Sequence, residues 1–395
     1  MSVIQNTVYI FYNLKSGGNC APHFNSSSIQ NVIFQEPCCQ IFIFDITIGE
    51  SGLKPGFLDL KSRLENFKCE VRIIVVGGDG TVLWCLSELD AHGINYDKVS
   101  IGVVPYGTGN DFANAFGWKS IKLCNFFDKY LKTLRSVVST FINAPVVKHD
   151  LWEISISVGK DGHFSKINQT SKSEEIICDN LSTIKTLNFT MCNYFSIGVE
   201  SKIGRGYDRY RGLSRFKNKS RYIIEGFKKL FAKRIDIRNI VDYMEQKIGD
   251  EWEPVFTTES NTDEPKLKKS TSLIILNIPS FSSGLNPWIT EKYGIEGPKV
   301  NFDDQCVGDG KLEILTYGTL FSIALNYLIR SNRAKKVCQG SGPWRIKIKQ
   351  LSPKFRVYFQ VDGEFRVAYE PTMIEIKHKR VVNVMCANVC GWKKS

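Results

Sequence analysis

The feature that most constrains this chain is a pair of glycine-dense loops, Gly77-Gly78-Asp79-Gly80-Thr81 and Pro105-Tyr106-Gly107-Thr108-Gly109-Asn110-Asp111. Each follows a β-branched, mostly apolar run, Val71 to Val76 and Val99 to Val104. Each precedes a helical run, Val82 to Leu89 and Phe112 to Phe116. Apolar runs of this kind fit parallel strands covered on both faces. Strands alternating with helices indicate a parallel α/β sheet, and ligands of such sheets gather beyond the C-terminal strand ends. Val8 to Tyr12 and Ile41 to Ile46 read as further strands, Leu53 to Phe67 as a helix, and Asn13 to Gly18 as a loop.

The loops suit an anion. Glycine lets the backbone approach a phosphate closely, and amides at a helix N-terminus favour negative charge. A tight strand-to-helix turn without a ligand is the plain alternative, and Asn110 or Asp111 could serve simply as a helix N-cap. Two such loops on one sheet edge are harder to explain that way. The pattern is neither a Walker A motif nor a dinucleotide fingerprint, and the catalytic and metal motifs of protein kinases are absent.

After about Pro145 the texture changes to many short strands with few helices, among them Asp150 to Val158, Phe189 to Val199, Leu273 to Ile278, Leu312 to Tyr317, Trp344 to Ile348, Phe355 to Val361 and Met373 to Ile376. The expectation is an α/β domain over 1–146 and a mainly β, β-sandwich-like domain over 147–395. Polar stretches near 160–186 and 244–272 read as surface insertions, and Lys219 to Lys233 and Leu320 to Leu328 as helices.

The net charge of +12 is concentrated. Residues 205–238 carry twelve Lys and Arg against three Asp and Glu. Such a block attracts polyanions, although a solvated helix face is the simpler account. Nothing resembling a nucleic-acid-binding motif accompanies it, so no nucleic-acid partner is expected. The twelve cysteines include no C-x-x-C pair, which argues against zinc and redox motifs and for a reducing compartment. No apolar run approaches the roughly 18 residues of a membrane span. Met1 to Asn13 lacks a secretory signature, and no lipidation box is present. A cytoplasmic chain that visits membranes peripherally is the expectation.

Taken with the second half, the two loops resemble the catalytic domain of the diacylglycerol kinase superfamily. The further motifs are Asn193-Tyr194-Phe195-Ser196-Ile197-Gly198-Val199, Leu276-Asn277-Ile278-Pro279-Ser280-Phe281, Gly308-Asp309-Gly310-Lys311-Leu312-Glu313 and Gln360-Val361-Asp362-Gly363-Glu364. In that order they resemble the accessory domain of the eukaryotic-type enzymes. The resemblance covers about Val8 to Val384. It implies a three-layer α/β domain, related to NAD kinases, packed on a β-sandwich-like domain with ATP between them. It implies that Asn13, Ser16 and Gly17 line the nucleotide site. Gly77, Gly78, Asp79, Gly80 and Thr81 would hold the phosphates, with Gly107, Thr108, Gly109, Asn110 and Asp111 completing the site. Asp79 would lie near the metal-bound γ-phosphate, and Asp309 resembles a structural Mg²⁺-site residue of bacterial members. Glu364 would be the base that takes the acceptor's proton. ATP and Mg²⁺ are the implied cofactors, diacylglycerol the implied acceptor, and the 205–238 block a candidate contact with anionic membrane.

Glu364 and Asp309 each have a plainer reading beside a glycine turn. The sequence departs from the family at Leu14, Asn114, Glu200 and Phe365. A kinase of another lipid, or a non-catalytic nucleotide- or lipid-binding protein, are the competing readings.

Overall fold

The computed structural model describes residues 6–14, 29–67, 70–107, 109–120, 126–168, 170–179, 182–209, 235–296, 301–319, 321–323 and 332–387. Its first half is a parallel sheet. Strands β1 (Asn6–Tyr12), β2 (Asn31–Phe34), β3 (Cys39–Asp45), β4 (Val71–Gly77) and β5 (Val99–Pro105) lie in the order β2-β3-β1-β4-β5, with only β2 antiparallel. The order reverses at β1, which has β3 on one side and β4 on the other. Crevices for ligands form beyond strand ends at such points.

Registers show why these strands are apolar throughout. Phe11 pairs with Phe44 and Val75, and Val75 with Val103, so these residues share one face. Helix α1 (Pro55–Asn66) covers that face, stacking Phe57 on Phe11 with ring centroids 4.2 Å apart. Gly102 and its neighbour Ile74 point the other way. A Cβ at Gly102 would lie 2.5 Å from the Phe141 ring of helix α4 (Lys132–Ile142). Helices on both faces make three layers. Between these helices come α2 (Asp79–Ala91), after β4, and the short α3 (Asp111–Ala115), after β5.

The second half is mainly antiparallel, the Thr257–Lys266 pairing being parallel. It comprises β6 (Val146–Ile167), β7 (Thr186–Met191), β8 (Tyr194–Gly198), β9 (Val241–Ile248), β10 (Glu251–Thr257), β11 (Ser272–Leu276), β12 (Leu312–Tyr317), β13 (Ala334–Gly340), β14 (Trp344–Ile348), β15 (Arg356–Val361) and β16 (Glu364–Met385). One helix, α5 (Val199–Arg209), follows β8 directly. Strand β16 organises this half. One edge runs beside β6 along most of its length. The other edge pairs in turn with β15, with β14 and, at Asn383 and Val384, in parallel with β5. The tail of the chain thus completes the first sheet, and Val382, Val384 and Met385 are buried in the first core.

Alternation on the central strands serves two further cores. Leu273 and Ile275 face one that also contains Trp152, Trp344 and Ile376. Ile274 and Leu276 face the other, with Tyr194, Phe281 and Trp288. The period of two in the sequence therefore corresponds to two buried faces of one strand.

The polar stretches differ from the sequence reading. Residues 160–167 continue β6, burying Phe164 and Ile167, and 241–257 is a hairpin that buries Met244 and Phe256. An antiparallel strand with one face in water reads as polar because only alternate residues need be apolar. Of Leu320 to Leu328, residues 321–323 are helical. The expected helix over 219–233 and the rest of 320–328 lie outside the described residues. Among the described residues no helix is long and apolar enough to cross a membrane.

Candidate active site

Strand β4 delivers Gly77 and Gly78 to the sheet edge, where α2 begins at Asp79. Gly77 must lack a side chain, because a Cβ there would lie 2.4 Å from Thr81 Oγ1. Beside it, the Tyr106 N–H donates to the Gly77 carbonyl at 2.8 Å. One residue on, a Cβ at Gly107 would lie 2.5 Å from the Gly78 Cα. The two loops therefore touch backbone to backbone, which only glycine permits. Asn13, just past β1, closes the group from the other side, with its Nδ2 donating to Thr81 Oγ1 at 3.3 Å. At the start of α2, a Cβ at Gly80 would meet nothing within 4 Å, so this position faces open space while Thr81 and Val82 beside it are buried.

Asp79 joins the two loops. Its Oδ2 accepts the Asp111 N–H at 3.1 Å and its Oδ1 the Phe112 N–H at 2.8 Å, so a residue of α2 caps α3. The residue at the start of α3, Asn110, is left-handed with φ 55° and makes no side-chain cap. Its Nδ2 instead donates to the Gly107 carbonyl at 2.9 Å, and its buried Oδ1 meets no donor. Asn193 of the second half donates Nδ2 to Asp79 Oδ1 at 3.3 Å. Burial raises the Asp79 carboxyl above the usual range, against the pull of these donors.

Asp111 extends the link. Its Oδ1 accepts from Ser280 Oγ at 2.7 Å and from the N–H groups of Ser283 and Gly284 at 2.9 and 3.1 Å. Its Oδ2 accepts from the Tyr194 hydroxyl at 3.3 Å. Burial, with the Asp79 charge beside it, pushes its carboxyl up to about 6.

A third carboxylate, missed in the sequence, completes the cluster. Asp362 and Gly363 form the turn between β15 and β16, with φ 50° and 82°, as a type I′ hairpin requires. The Asp362 side chain turns inward. It accepts the N–H groups of Cys192, Asn193 and Tyr194 at 2.6, 2.7 and 2.8 Å. Burial pushes its carboxyl up to about 7, with the Asp79 charge contributing. The sequence signals were an Asp-Gly turn and membership in the Gln360–Glu364 motif, neither of which says where the aspartate points.

Glu364 follows that turn as the first residue of β16. It is exposed, and Arg366 Nη2 donates to its Oε2 at 2.6 Å. Ser16, Gly17 and Thr108 lie outside the described residues. Gly109 lies against the cluster, where a Cβ would be 3.3 Å from Asp79 Oδ2 and 3.4 Å from Asp111 Oδ2. Asp309 keeps other company. Its Oδ1 accepts the Lys311 N–H at 3.0 Å, and the next residue, Gly310, donates its N–H to Asp150 Oδ2 at 2.8 Å. Burial raises the Asp309 carboxyl, with the Asp150 charge adding to it. Nearby Glu313, held by the amides of Gln305 and Gln339 at 2.6 and 3.0 Å, is pushed up to about 8 by burial.

Among the described residues no three or more His, Cys, Asp or Glu side chains are arranged to hold a metal ion by themselves. Mg²⁺ in phosphoryl-transfer sites usually takes one or two carboxylates and completes its shell with phosphate oxygens and water. Asp79 fits that role: the N–H groups of Asp111 and Phe112 and the Asn193 amide leave its carboxylate acceptor capacity to spare.

The arrangement defines a two-part protein, α/β then antiparallel β, whose candidate site lies where buried carboxylates of the first half meet a loop and a hairpin of the second. Two family models match it. Residues 7–141 match the diacylglycerol kinase catalytic domain, and residues 190–365 match the diacylglycerol kinase accessory domain. The chain belongs to the diacylglycerol kinase family. It is 27% identical over 380 residues to the eye-specific diacylglycerol kinase of Drosophila melanogaster, covering 94% of this chain and 22% of that one. It is 25% identical over 430 residues to diacylglycerol kinase 5 of Arabidopsis thaliana, covering 97% and 78%. It is 26% identical over 394 residues to human diacylglycerol kinase iota, covering 97% and 31%. The chain thus spans less than a third of the two animal relatives. A crystal structure of a diacylglycerol kinase from Bacillus anthracis str. Sterne aligns over 98% of both chains, at 11% identity and a TM-score of 0.43.

Proposed function

We propose that this chain transfers the γ-phosphate of ATP to the free hydroxyl of diacylglycerol, giving phosphatidic acid and ADP. The observation that carries the reading is the backbone contact of Gly107 with Gly78, beside Asp79 and the open position of Gly80 at the start of a helix. Such a cradle suits a triphosphate, because helix-terminal amides offset its charge at close range. Family membership supplies the acceptor class.

Phosphoryl transfer depends on alignment and charge compensation more than on covalent help. In this reading Gly78, Gly80, Thr81 and Gly107 receive the phosphates, and Asn13 borders the nucleotide. Asp79 would hold Mg²⁺, which when bound offsets charge on the transferring group, and Asp309, in its separate cluster, is a candidate ligand for a structural Mg²⁺ only. Glu364 is the base. Its carboxylate accepts the proton of the attacking hydroxyl while that oxygen bonds to the γ-phosphorus and the bond to ADP breaks. Arg366, already hydrogen-bonded to Glu364, orients it.

The reading includes a cytoplasmic chain that meets anionic membrane through the 205–238 block. Two of its cations are engaged internally: buried Arg205 lies 3.4 Å from Glu174, and Arg238 pairs with Asp236 at 2.8 Å. The membrane role therefore falls on the cations between them, of which 210–234 lie outside the described residues.

Incubation with labelled ATP, Mg²⁺ and dispersed diacylglycerol should yield labelled phosphatidic acid on thin-layer plates. ATP binding without transfer would overturn the reading in favour of a non-catalytic nucleotide-binding protein. Glu364→Gln should lower kcat by roughly a hundredfold or more, with ATP affinity little changed, since only proton acceptance is lost. Equal losses in both would remove Glu364 from the chemistry.

A further inference from the structure

We propose that Asp362 is a positioning residue for phosphoryl transfer: its carboxylate sets the placement of Asn193 and Tyr194 on the nucleotide-side carboxylates and, through the hairpin turn it occupies, that of Glu364. The inference rests on the kinase reading above and deepens it.

The geometry is specific. Three consecutive N–H groups, those of Cys192, Asn193 and Tyr194, converge on one carboxylate within 2.8 Å. Hydrogen bonds to a charged acceptor are roughly twice as strong as neutral ones. In return, the Asp362 N–H donates to the Tyr194 carbonyl at 2.9 Å. The segment held this way turns its side chains toward the first half. Asn193 Nδ2 reaches Asp79 Oδ1 and the Tyr194 hydroxyl reaches Asp111 Oδ2. Asp79 and Asp111 are the residues that fasten the two glycine loops to each other and to the 280–284 segment. Two positions after Asp362, across Gly363 with φ 82°, the chain places Glu364. One buried side chain therefore fixes the phosphate side and the acceptor side to the same segment. A turn aspartate that merely ended a hairpin would not need to reach across to another strand for three donors.

The test uses the full chain as wild type, Asp362→Asn, Asn193→Ala and the double variant. Asparagine keeps an oxygen for the Asn193 and Tyr194 N–H groups but presents an amide N–H to that of Cys192. The two retained bonds keep the turn in place despite that unfavourable contact, and thermal melting checks that the variant stays folded. Wild-type formation of phosphatidic acid tests the kinase reading by itself. D362N should lower kcat about tenfold or more, with the KM for ATP within about threefold of wild type. If Asp362 acts through Asn193, the double variant should lose little more than the worse single variant. Losses that multiply, or an unchanged kcat, overturn the inference. Hydrogen exchange gives a readout that needs no turnover. D362N should speed exchange at 192–194 and also in peptides covering 109–116, where Asp79 holds the Asp111 and Phe112 N–H groups. Faster exchange confined to 192–194 would reduce Asp362 to a local turn residue and overturn the inference.

Discussion

Gly107 and Gly80 belong to the same glycine signal, yet the structure gives them opposite constraints. A methyl group at 107 would drive into the Gly78 backbone, whereas one at 80 would enter open space. Gly107→Ala should therefore lower the melting temperature and abolish nucleotide binding together. Gly80→Ala should leave the fold as stable or up to about 1 kcal/mol more stable, since alanine favours the helix. In the kinase reading it should nevertheless weaken ATP binding by tenfold or more, because the added methyl would take space assigned there to the phosphates. Melting curves with and without ATP separate the two. A second residue-scale test concerns Glu313. Its folded value of about 8 lies well above the ordinary glutamate value near 4.3. Between those values the folded chain keeps a proton that the unfolded chain has released, so this group lowers stability as pH rises through that window. Glu313→Gln should flatten the decline in melting temperature from pH 5 to pH 8 by a few degrees, on the order expected for one or two kcal/mol. Gln305, whose Oε1 meets no donor, can accept the new amide by turning over. The glycine positions were legible in the sequence because loop glycines report local backbone needs. The inward turn of Asp362 and the orphan oxygens of Asn110 and Asn193 were not, since they depend on strands that meet only in the fold.

At the scale of elements, the apolar parallel strands appear where the sequence placed them, with ends shifted by a residue or two. Helix α2 starts earlier than its apolar run suggests, at Asp79 instead of Val82, because its first turn is the polar loop itself. Helix α3 shows what local reasoning lacks. A local capping role was open to Asn110 or Asp111 as the plainer alternative, but the side-chain cap comes from Asp79 on another helix. Asp79→Asn should keep the bond to one backbone N–H and place an amide N–H against another. Loss of such a cap costs about 0.5–2 kcal/mol, measurable by denaturant unfolding. In the kinase reading the same change removes the carboxylate beside the phosphates, so activity should fall much further, by a hundredfold or more. A variant that loses stability alone, with turnover intact, would confine Asp79 to capping. The polar strands of the second half were hidden for a different reason. In 241–257 the buried residues are spaced among Asp, Glu, Gln and Lys, and composition over such a stretch resembles a loop.

At the scale of the whole molecule, charge and connectivity give separate answers to how the chain is held together and what it meets. Connectivity lies in β6 and β16, whose paired course joins the antiparallel half to the edge of the first sheet. Charge lies in the 205–238 block, and its two ends show that a count of cations overstates what is available to a partner. Arg205 is buried beside Glu174 and Ser165, and Arg238 is spent on Asp236. Replacing either should cost stability without changing vesicle binding. Neutralising Lys228, Lys229, Lys233 and Arg234 together should instead weaken binding to phosphatidylserine-containing vesicles. At about 1 kcal/mol per well-placed cation, the loss should reach roughly a hundredfold or more. The residual binding should depend less on salt, because exposed charges more than about 10 Å apart are screened at 0.1 M. Sedimentation with anionic and with neutral vesicles decides it. If the four-site variant binds anionic vesicles as wild type does, the block is a solvated face, and any affinity for membrane must come from elsewhere on the chain.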